Sequence, residues 1–481
     1  MSLKDKTLQG LFWSFLDNFS RLGIGFITGI ILARLLTPHD FGLIGMITIF
    51  IVISQSIIDS GFSQALIRKK ECTQLDYSTV FFFNLLVGIL LYVILFLSSG
   101  LISRFFSEPQ LIQIIPIIGL SIILNSLGLI QTTILTRKLD FKLQTRISII
   151  STILSGIVGI GMALMGYGVW SLVFRSVLGS FISLLLLWTW NAWRPSKSLS
   201  RSSFNDLFSF GSKLLLSGLI DKVYNNIYLV VIGKFFSAAE LGFFTRANMF
   251  QRLPSENITN VIQRVSYPVL SSMNNDQTQL KTGYQKLIKS TMLVSFVLML
   301  GMAASAEPLI LTLIGEKWQP SVIYLQLLCF VGMLYPLHAL NLNILNVKGR
   351  SDLFLKLEIF KKLLAIPVIF IGIYYGIAEM IVGMIVVSVI SYFLNSYYSG
   401  RVINYSSLAQ LRDIMPSFVL ALFNAVIVYF IGKYLPAPTV VVLIVQLLIS
   451  VFIIITIAES LKLKDYLFIK AIVVEKLFKR T

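Results

Sequence analysis

Apolar stretches of about 20 residues recur from one end of this chain to the other, separated by short polar clusters. A run of that length carries an α-helix across a hydrocarbon core of ~30 Å. Fourteen such spans can be placed, near 9–33, 41–66, 78–101, 111–135, 147–165, 168–190, 208–233, 241–270, 287–306, 320–345, 357–375, 378–399, 414–432 and 439–459. The connecting loops are short and leave no room for a hidden soluble domain. The expected fold class is an all-α polytopic membrane protein.

Composition agrees with this reading. Hydrophobic residues make up 56% of the 481 and charged residues only 13%, with a mean hydropathy of +0.83. A water-soluble surface needs a larger charged fraction. The formal charge of +18 would suit nucleic acid if it were gathered on one domain. Here the bases fall in clusters between the apolar runs, so no nucleic-acid partner is expected.

Those clusters also set an orientation. With the N-terminus in the cytoplasm, the inward segments carry 27 Lys and Arg and the outward segments carry 5, namely Arg34, Arg104, Lys234, Lys317 and Lys433. This is the bias that the positive-inside rule demands, and it places both termini inside. The first apolar stretch is too long for a signal-peptide core and is read as a retained span. The WTWNAW stretch at 188–193 fits an interfacial aromatic belt. Residues 461–481 mix apolar and charged positions and read as an amphipathic cytoplasmic tail. Cys72 and Cys329 stand far apart, as do His39 and His338, so neither a disulfide framework nor a metal site is expected.

One short pattern occurs twice. Residues 34–42 read RLLTPHDFG and residues 234–242 read KFFSAAELG: base, two apolar residues, hydroxyl, two spacers, acid, apolar, glycine. Each lies at an outward turn between the first and second spans of a six-span unit. The hydroxyl residue is placed to cap the second helix, the acid sits in its first turn, and the glycine permits close packing. Fainter correspondences follow in order: TQLDY at 73–77 with TQLKT at 278–282, ILTRKLDFK at 134–142 with ILNVKGRSDLFLK at 344–356, and GYGVW at 166–170 with YYGIA at 374–378. They predict a six-helix bundle over 1–200, a second over 201–405, and an extra helix pair over 406–460. Two parallel repeats of this kind frame a cleft for alternating access.

Eight bases lie within the spans: Arg21, Arg175, Lys222, Arg246, Arg252, Arg264, Lys361 and Lys362. A charge at bilayer depth costs about 2.5–3.5 kcal/mol, so it faces a cavity or a partner. Arg175, Arg264, Lys361 and Lys362 lie near span ends, where snorkelling accounts for them. Arg21 sits mid-span, one turn after Asp17, and the pair could simply brace the helix. The 200-residue offset sets Arg21 against Asp221, a charge of opposite sign that it could meet across the cleft. Asp221 shares a helix face with Asn225, beside Lys222. Arg252 and Glu256 are spaced for a local ion pair. Around Arg246 the i±3 and i±4 positions are Gly242, Phe243, Met249 and Phe250. That spacing makes Arg246, with Asn248 nearby, the leading candidate to meet an anion, because a guanidinium fork suits phosphate oxygens. Asp59 and Glu358 are the remaining embedded acids to weigh as cation sites, with Lys361 and Lys362 close enough to Glu358 to form an ion pair. No phosphate-binding loop, nucleophilic triad or H-E-x-x-H motif occurs, so neither ATP hydrolysis by that route nor enzymatic chemistry is expected, and no cofactor.

The opening GLFWSFLDNFSRLG, the ILARLLTPHDFG and IGKFFSAAELGFFTRA turns, and the YPVLSSM stretch together resemble the bacterial polysaccharide flippases of the multidrug/oligosaccharidyl-lipid/polysaccharide (MOP) superfamily, on the colanic-acid and lipopolysaccharide exporter branch. The resemblance covers essentially the whole chain. It implies fourteen helices in two six-helix bundles plus two, an inner-membrane location, and transport of undecaprenyl-pyrophosphate-linked oligosaccharide to the outer leaflet. It further implies cationic cavity residues, a role that would fall to Arg21, Lys222, Arg246 and Arg252. Coupling to H+ or Na+ and cooperation with a polysaccharide polymerase and export machinery are also implied, for a protein acting as a monomer. A cation-coupled drug or metabolite antiporter of the same superfamily is the alternative. A membrane polymerase or ligase would carry a substantial outward loop, and every outward loop here is short.

Overall fold

In hydrocarbon a backbone N–H or C=O finds no water, so each apolar run satisfies its hydrogen bonds within itself and becomes a helix. A computed structural model of the chain describes residues 3–463, 465–467 and 470–471, the side chains of 3–12, 14, 15 and 18 excepted, and their regular structure is helical. Two compact units divide the chain, Met1–Gly242 and Phe243–Thr481.

The first unit holds α1 (Leu3–Leu35), α2 (Pro38–Asp59), α3 (Phe62–Arg68), α4 (Gln74–Leu97), α5 (Ser99–Phe106), α6 (Leu111–Arg137), α7 (Phe141–Leu164), α8 (Trp170–Trp190) and α9 (Arg201–Phe235), and reaches the first turn of α10 (Ala238–Ser272). Within it α1 lies along α7, α7 along α8, α4 and α8 against α6, and α9 against α2. The apolar run that opens at Pro38 is not one straight rod. Ser60 (φ 44°) and Gly61 (φ 70°) take left-handed conformations and break it between α2 and α3. The break lets α9 come close: a β-carbon on Gly211 would fall 2.5 Å from the Ser60 carbonyl oxygen. Around it Phe62, Leu66, Phe81, Ile130 and Leu207 are buried together. Phe204 and Phe208 pack on them, stacked at 5.3 Å between centroids.

The second unit continues α10 and adds α11 (Gln277–Ala304), α12 (Ala306–Leu313), α13 (Ser321–Gly332), α14 (Tyr335–Val347), α15 (Ser351–Leu363), α16 (Ala365–Tyr375), α17 (Ile377–Ile403), α18 (Ser407–Tyr434) and α19 (Thr439–Ser460). α11 packs along α18, and α17 gathers α13, α14 and α16 around itself. Tyr284, Met292, Phe296, Leu340 and Tyr405 form its buried centre.

Eleven helices among the described residues are long and apolar enough to cross a membrane. The other three expected spans are not among those eleven. Those near 9–33 and 241–270 fall on α1 and α10, and the latter carries Glu240, Arg246, Arg252, Glu256 and Arg264. The span expected near 357–375 falls on α15 and α16, which meet at Leu364 with right-handed helical backbone angles (φ −65°, ψ −16°), and it carries Glu358, Lys361 and Lys362. Of the expected tail, residues 464, 468–469 and 472–481 lie outside the described residues. In the described part, Lys470 Nζ stands 2.6 Å from Glu459 Oε1.

Candidate functional site

The repeated hairpins form as their residues dictate. Thr37 and Asp40 make a reciprocal capping box on α2, Thr37 N–H donating to Asp40 Oδ2 at 2.9 Å and Asp40 N–H to Thr37 Oγ1 at 3.3 Å. In the second hairpin Glu240 N–H donates to Ser237 Oγ at 3.1 Å, the same N-terminal cap. The two turns also meet. A β-carbon on Gly42 would lie 1.7 Å from the Ala238 carbonyl oxygen, and one on Gly242 would lie 1.9 Å from that of Pro38. Each glycine thus faces the residue four places before the other.

From that contact α2 and α9 run antiparallel, with glycines of α9 at the crossings. Gly233 abuts Met46, Gly218 faces Ser56, and Gly211 reaches Ser60 and Gly61. Both hairpin glycines were legible in the sequence as packing positions; that they pack on each other's turns was not.

The embedded charges sort into several kinds of setting. Arg21 is exposed on α1, and Asp17 is half-buried, its Oδ1 lacking a hydrogen bond among the described residues. No Asp17–Arg21 ion pair forms among them, and Arg21 is not joined to Asp221, which is engaged elsewhere. On α9, Asp221, Lys222 and Asn225 are all exposed, while Asn226 Nδ2 turns back to the Lys222 carbonyl at 2.8 Å. On α10, Arg252 and Glu256 make the local pair their spacing suggested, Nε to Oε1 at 2.6 Å. Arg246 and Asn248 are half-buried, and Arg246 is not without a partner. Glu358 pairs with Lys361.

Asp59 has a structural task. Its Oδ1 accepts the Ser63 N–H at 3.1 Å, capping α3 across the break after α2.

Sequence inspection missed a polar knot at the end of the first unit expected to face inward. Lys69 Nζ lies 3.0 Å from Asp76 Oδ1 and 3.4 Å from Asp206 Oδ2. Hydrogen bonding to Asp76 holds the Lys69 ammonium above its usual range. Asp76 is also the return arm of a capping box with Thr73 on α4. The 188–200 connection is pinned beside it, Gln74 Nε2 donating to the Arg194 carbonyl at 2.6 Å and Trp193 Nε1 to Gln74 Oε1 at 2.7 Å. The T-x-x-D spacing at 73–76 is the signal that could have exposed it. Among the described residues no three His, Cys, Asp or Glu side chains gather as a metal would require.

Comparison with known proteins decides the family. Residues 31–323, well over half of the chain, match the family described as "Polysaccharide biosynthesis protein". The chain belongs to that family. Among the family member's relatives, the teichuronic acid biosynthesis protein TuaB of Bacillus subtilis (strain 168) is 27% identical over 432 residues, 89% of each chain. The lipopolysaccharide biosynthesis protein WzxC of Escherichia coli (strain K12) is 26% identical, covering 90% of this chain and 89% of its own.

The fold is shared with the lipid II flippase MurJ in an inward closed conformation (TM-score 0.74, 15% identity, 95% of this chain and 100% of that one). It is also shared with a multidrug resistance MATE family transporter of the MOP superfamily (0.64, 14%, 80% and 94%). With eleven described helices long and apolar enough to cross a membrane, this member of the polysaccharide biosynthesis family is an all-α polytopic membrane protein, and its likeness to these two solved structures is one of fold.

Proposed function

We propose that this protein is a transporter, a flippase moving undecaprenyl-pyrophosphate-linked oligosaccharide from the inner to the outer leaflet for surface polysaccharide synthesis. Two six-helix halves, 1–200 and 201–405, would alternate access around a cleft, with 406–460 as an extra helix pair, fourteen spans in all and both termini inside. The observation that carries this reading is the exposure of Arg21 on α1 and of Asp221, Lys222 and Asn225 on α9, each midway along a span expected from the sequence. Exposed charges there require an aqueous cavity, and an aqueous cavity suits a hydrophilic cargo. Arg21, Lys222, Arg246 and Arg252 supply the cationic groups for a pyrophosphate, with Asn225 and Asn248 beside them, while the prenyl chain stays in lipid. The relatives named for teichuronic acid and lipopolysaccharide biosynthesis support a surface-polymer pathway. Asp17, whose buried Oδ1 has no hydrogen bond among the described residues, is the acid best placed to take up a coupling H+ or Na+.

The test is the leaflet location of the lipid-linked oligosaccharide in a deletion strain. The intermediate should accumulate on the cytoplasmic side, with surface polymer lost. Normal polymer without a trapped intermediate, in a strain lacking redundant exporters, would favour the second reading, a cation-coupled drug or metabolite antiporter, which the fold shared with a MATE transporter supports.

A further inference from the structure

Within the first unit α2, α6 and α8 leave between them a cavity of about 340 Å³. No ionisable side chain lines it. Five neutral hydrogen-bonding side chains do: Gln55 from α2, Asn125 and Thr132 from α6, and Ser180 and Ser183 from α8. Seven residues apart, Asn125 and Thr132 lie on one face of α6, and Ser180 and Ser183 lie one turn apart on α8. Between them the wall is aliphatic, with Ile58 and Leu187 buried behind it. Gly128 keeps the space open, since a β-carbon there would stand 3.3 Å from Leu187 Cδ1.

Thr132 Oγ1 donates to its own helix, to the Gly128 carbonyl at 3.2 Å. The side chains of Gln55, Asn125, Ser180 and Ser183 have no hydrogen bond among the described residues. Hydroxyls inside membrane helices commonly bond back to the preceding turn, as Thr28 does to the Ile24 carbonyl at 2.7 Å. Two amides and two hydroxyls left unengaged around one space therefore offer both donors and acceptors to an occupant.

Three kinds of occupant can be weighed. An anionic group would give up its hydration with no counter-charge to meet it. A hydrocarbon chain would strand the four polar side chains, at about 1–3 kcal/mol for each one desolvated. A sugar ring has apolar C–H faces and a rim of hydroxyls that both donate and accept, which matches an aliphatic wall set with amides and hydroxyls. We infer that this cavity is a subsite for one uncharged sugar ring of the transported oligosaccharide, apart from the cationic residues that take its pyrophosphate. The inference rests on the flippase reading above, and it makes α2, α6 and α8 a place where neutral sugars are favoured over acidic ones.

Binding to the purified full chain in lipid nanodiscs tests it, with two probes: a polyprenyl pyrophosphate, and the same lipid carrying one neutral hexose. The hexose should tighten binding to the unmodified protein by about tenfold. Two variants should erase that gain and leave the affinity for the bare lipid unchanged. Ser183→Leu fills the cavity, and the double change Ser180→Ala/Ser183→Ala removes two hydroxyls without adding bulk. A hexose gain that survives in both variants overturns the subsite. Loss of bare-lipid affinity in both also overturns it, by showing that the cavity holds the prenyl chain. Failure of the unmodified protein to bind either probe overturns the flippase reading itself, and the subsite with it.

Discussion

Gly42 and Ala238 approach so closely that a β-carbon on the glycine would fall 1.7 Å from the alanine's carbonyl oxygen, and Gly242 repeats the relationship against Pro38 at 1.9 Å. The obstacle in both cases is backbone, which cannot rotate aside as a side chain can. Gly42→Ala and Gly242→Ala should each destabilise the protein by about 1–3 kcal/mol, the range for overpacked sites. Once one methyl has parted the turns the second has room, so the double variant should lose clearly less than the sum. Thermal unfolding of the four proteins in one detergent measures this; full additivity would mean that the turns do not share a contact.

Asp59 can be told apart from a cation site by the shape of its replacement. Asparagine keeps the oxygen that accepts the Ser63 N–H, and alanine does not. Asp59→Asn should retain transport and most stability, while Asp59→Ala should lose about 1 kcal/mol. Abolished transport in a folded Asp59→Asn protein would restore an ionic role.

The Lys69 knot carries a pH signature. Its ammonium is held above the usual lysine range chiefly by hydrogen bonding to Asp76. The stabilisation is therefore fully present below the unfolded pKa, about 10.4, and is lost as pH rises through the higher folded value. Lys69→Met should flatten the alkaline limb of the thermal stability profile above about pH 10. Asp206→Asn should do much less, since that carboxylate is 68% exposed. An unchanged alkaline limb in Lys69→Met would show that the knot adds nothing to stability.

On α10 a stability role and a transport role separate. The Arg252–Glu256 pair is solvent-facing, so Glu256→Gln should change stability by no more than about 0.5 kcal/mol. Arg252→Ala should be equally stable, yet lower surface polysaccharide several-fold if that guanidinium meets the headgroup. Equal polymer in the two variants would confine Arg252 to its local pair.

What could be read from the sequence was local. Thr37-x-x-Asp40 and Ser237-x-x-Glu240 announce helix starts because a cap needs only its own turn, and Arg252–Glu256 pairs because one helix fixes its spacing. The hydrogen bond from Ser63 N–H to Asp59 could not be read, because it depends on a backbone break at Ser60 and Gly61 that hydropathy does not register. The cavity residues gave no signal at all. Neutral amides and hydroxyls in membrane helices are commonplace, and only three helices seen together show four of them unengaged around one space.

The hairpin contact has one more consequence. Position 42 meets position 238, and its counterpart 242 meets the counterpart 38, which is the arrangement of an isologous interface between two copies of one protein. Here both copies of the motif lie on a single polypeptide. Their association is intramolecular, so it does not weaken as the protein becomes scarce in the membrane. A symmetric dimer must accept every substitution on both sides at once. This chain can alter one turn and keep the other, as Thr37 and Asp40 already differ from Ser237 and Glu240.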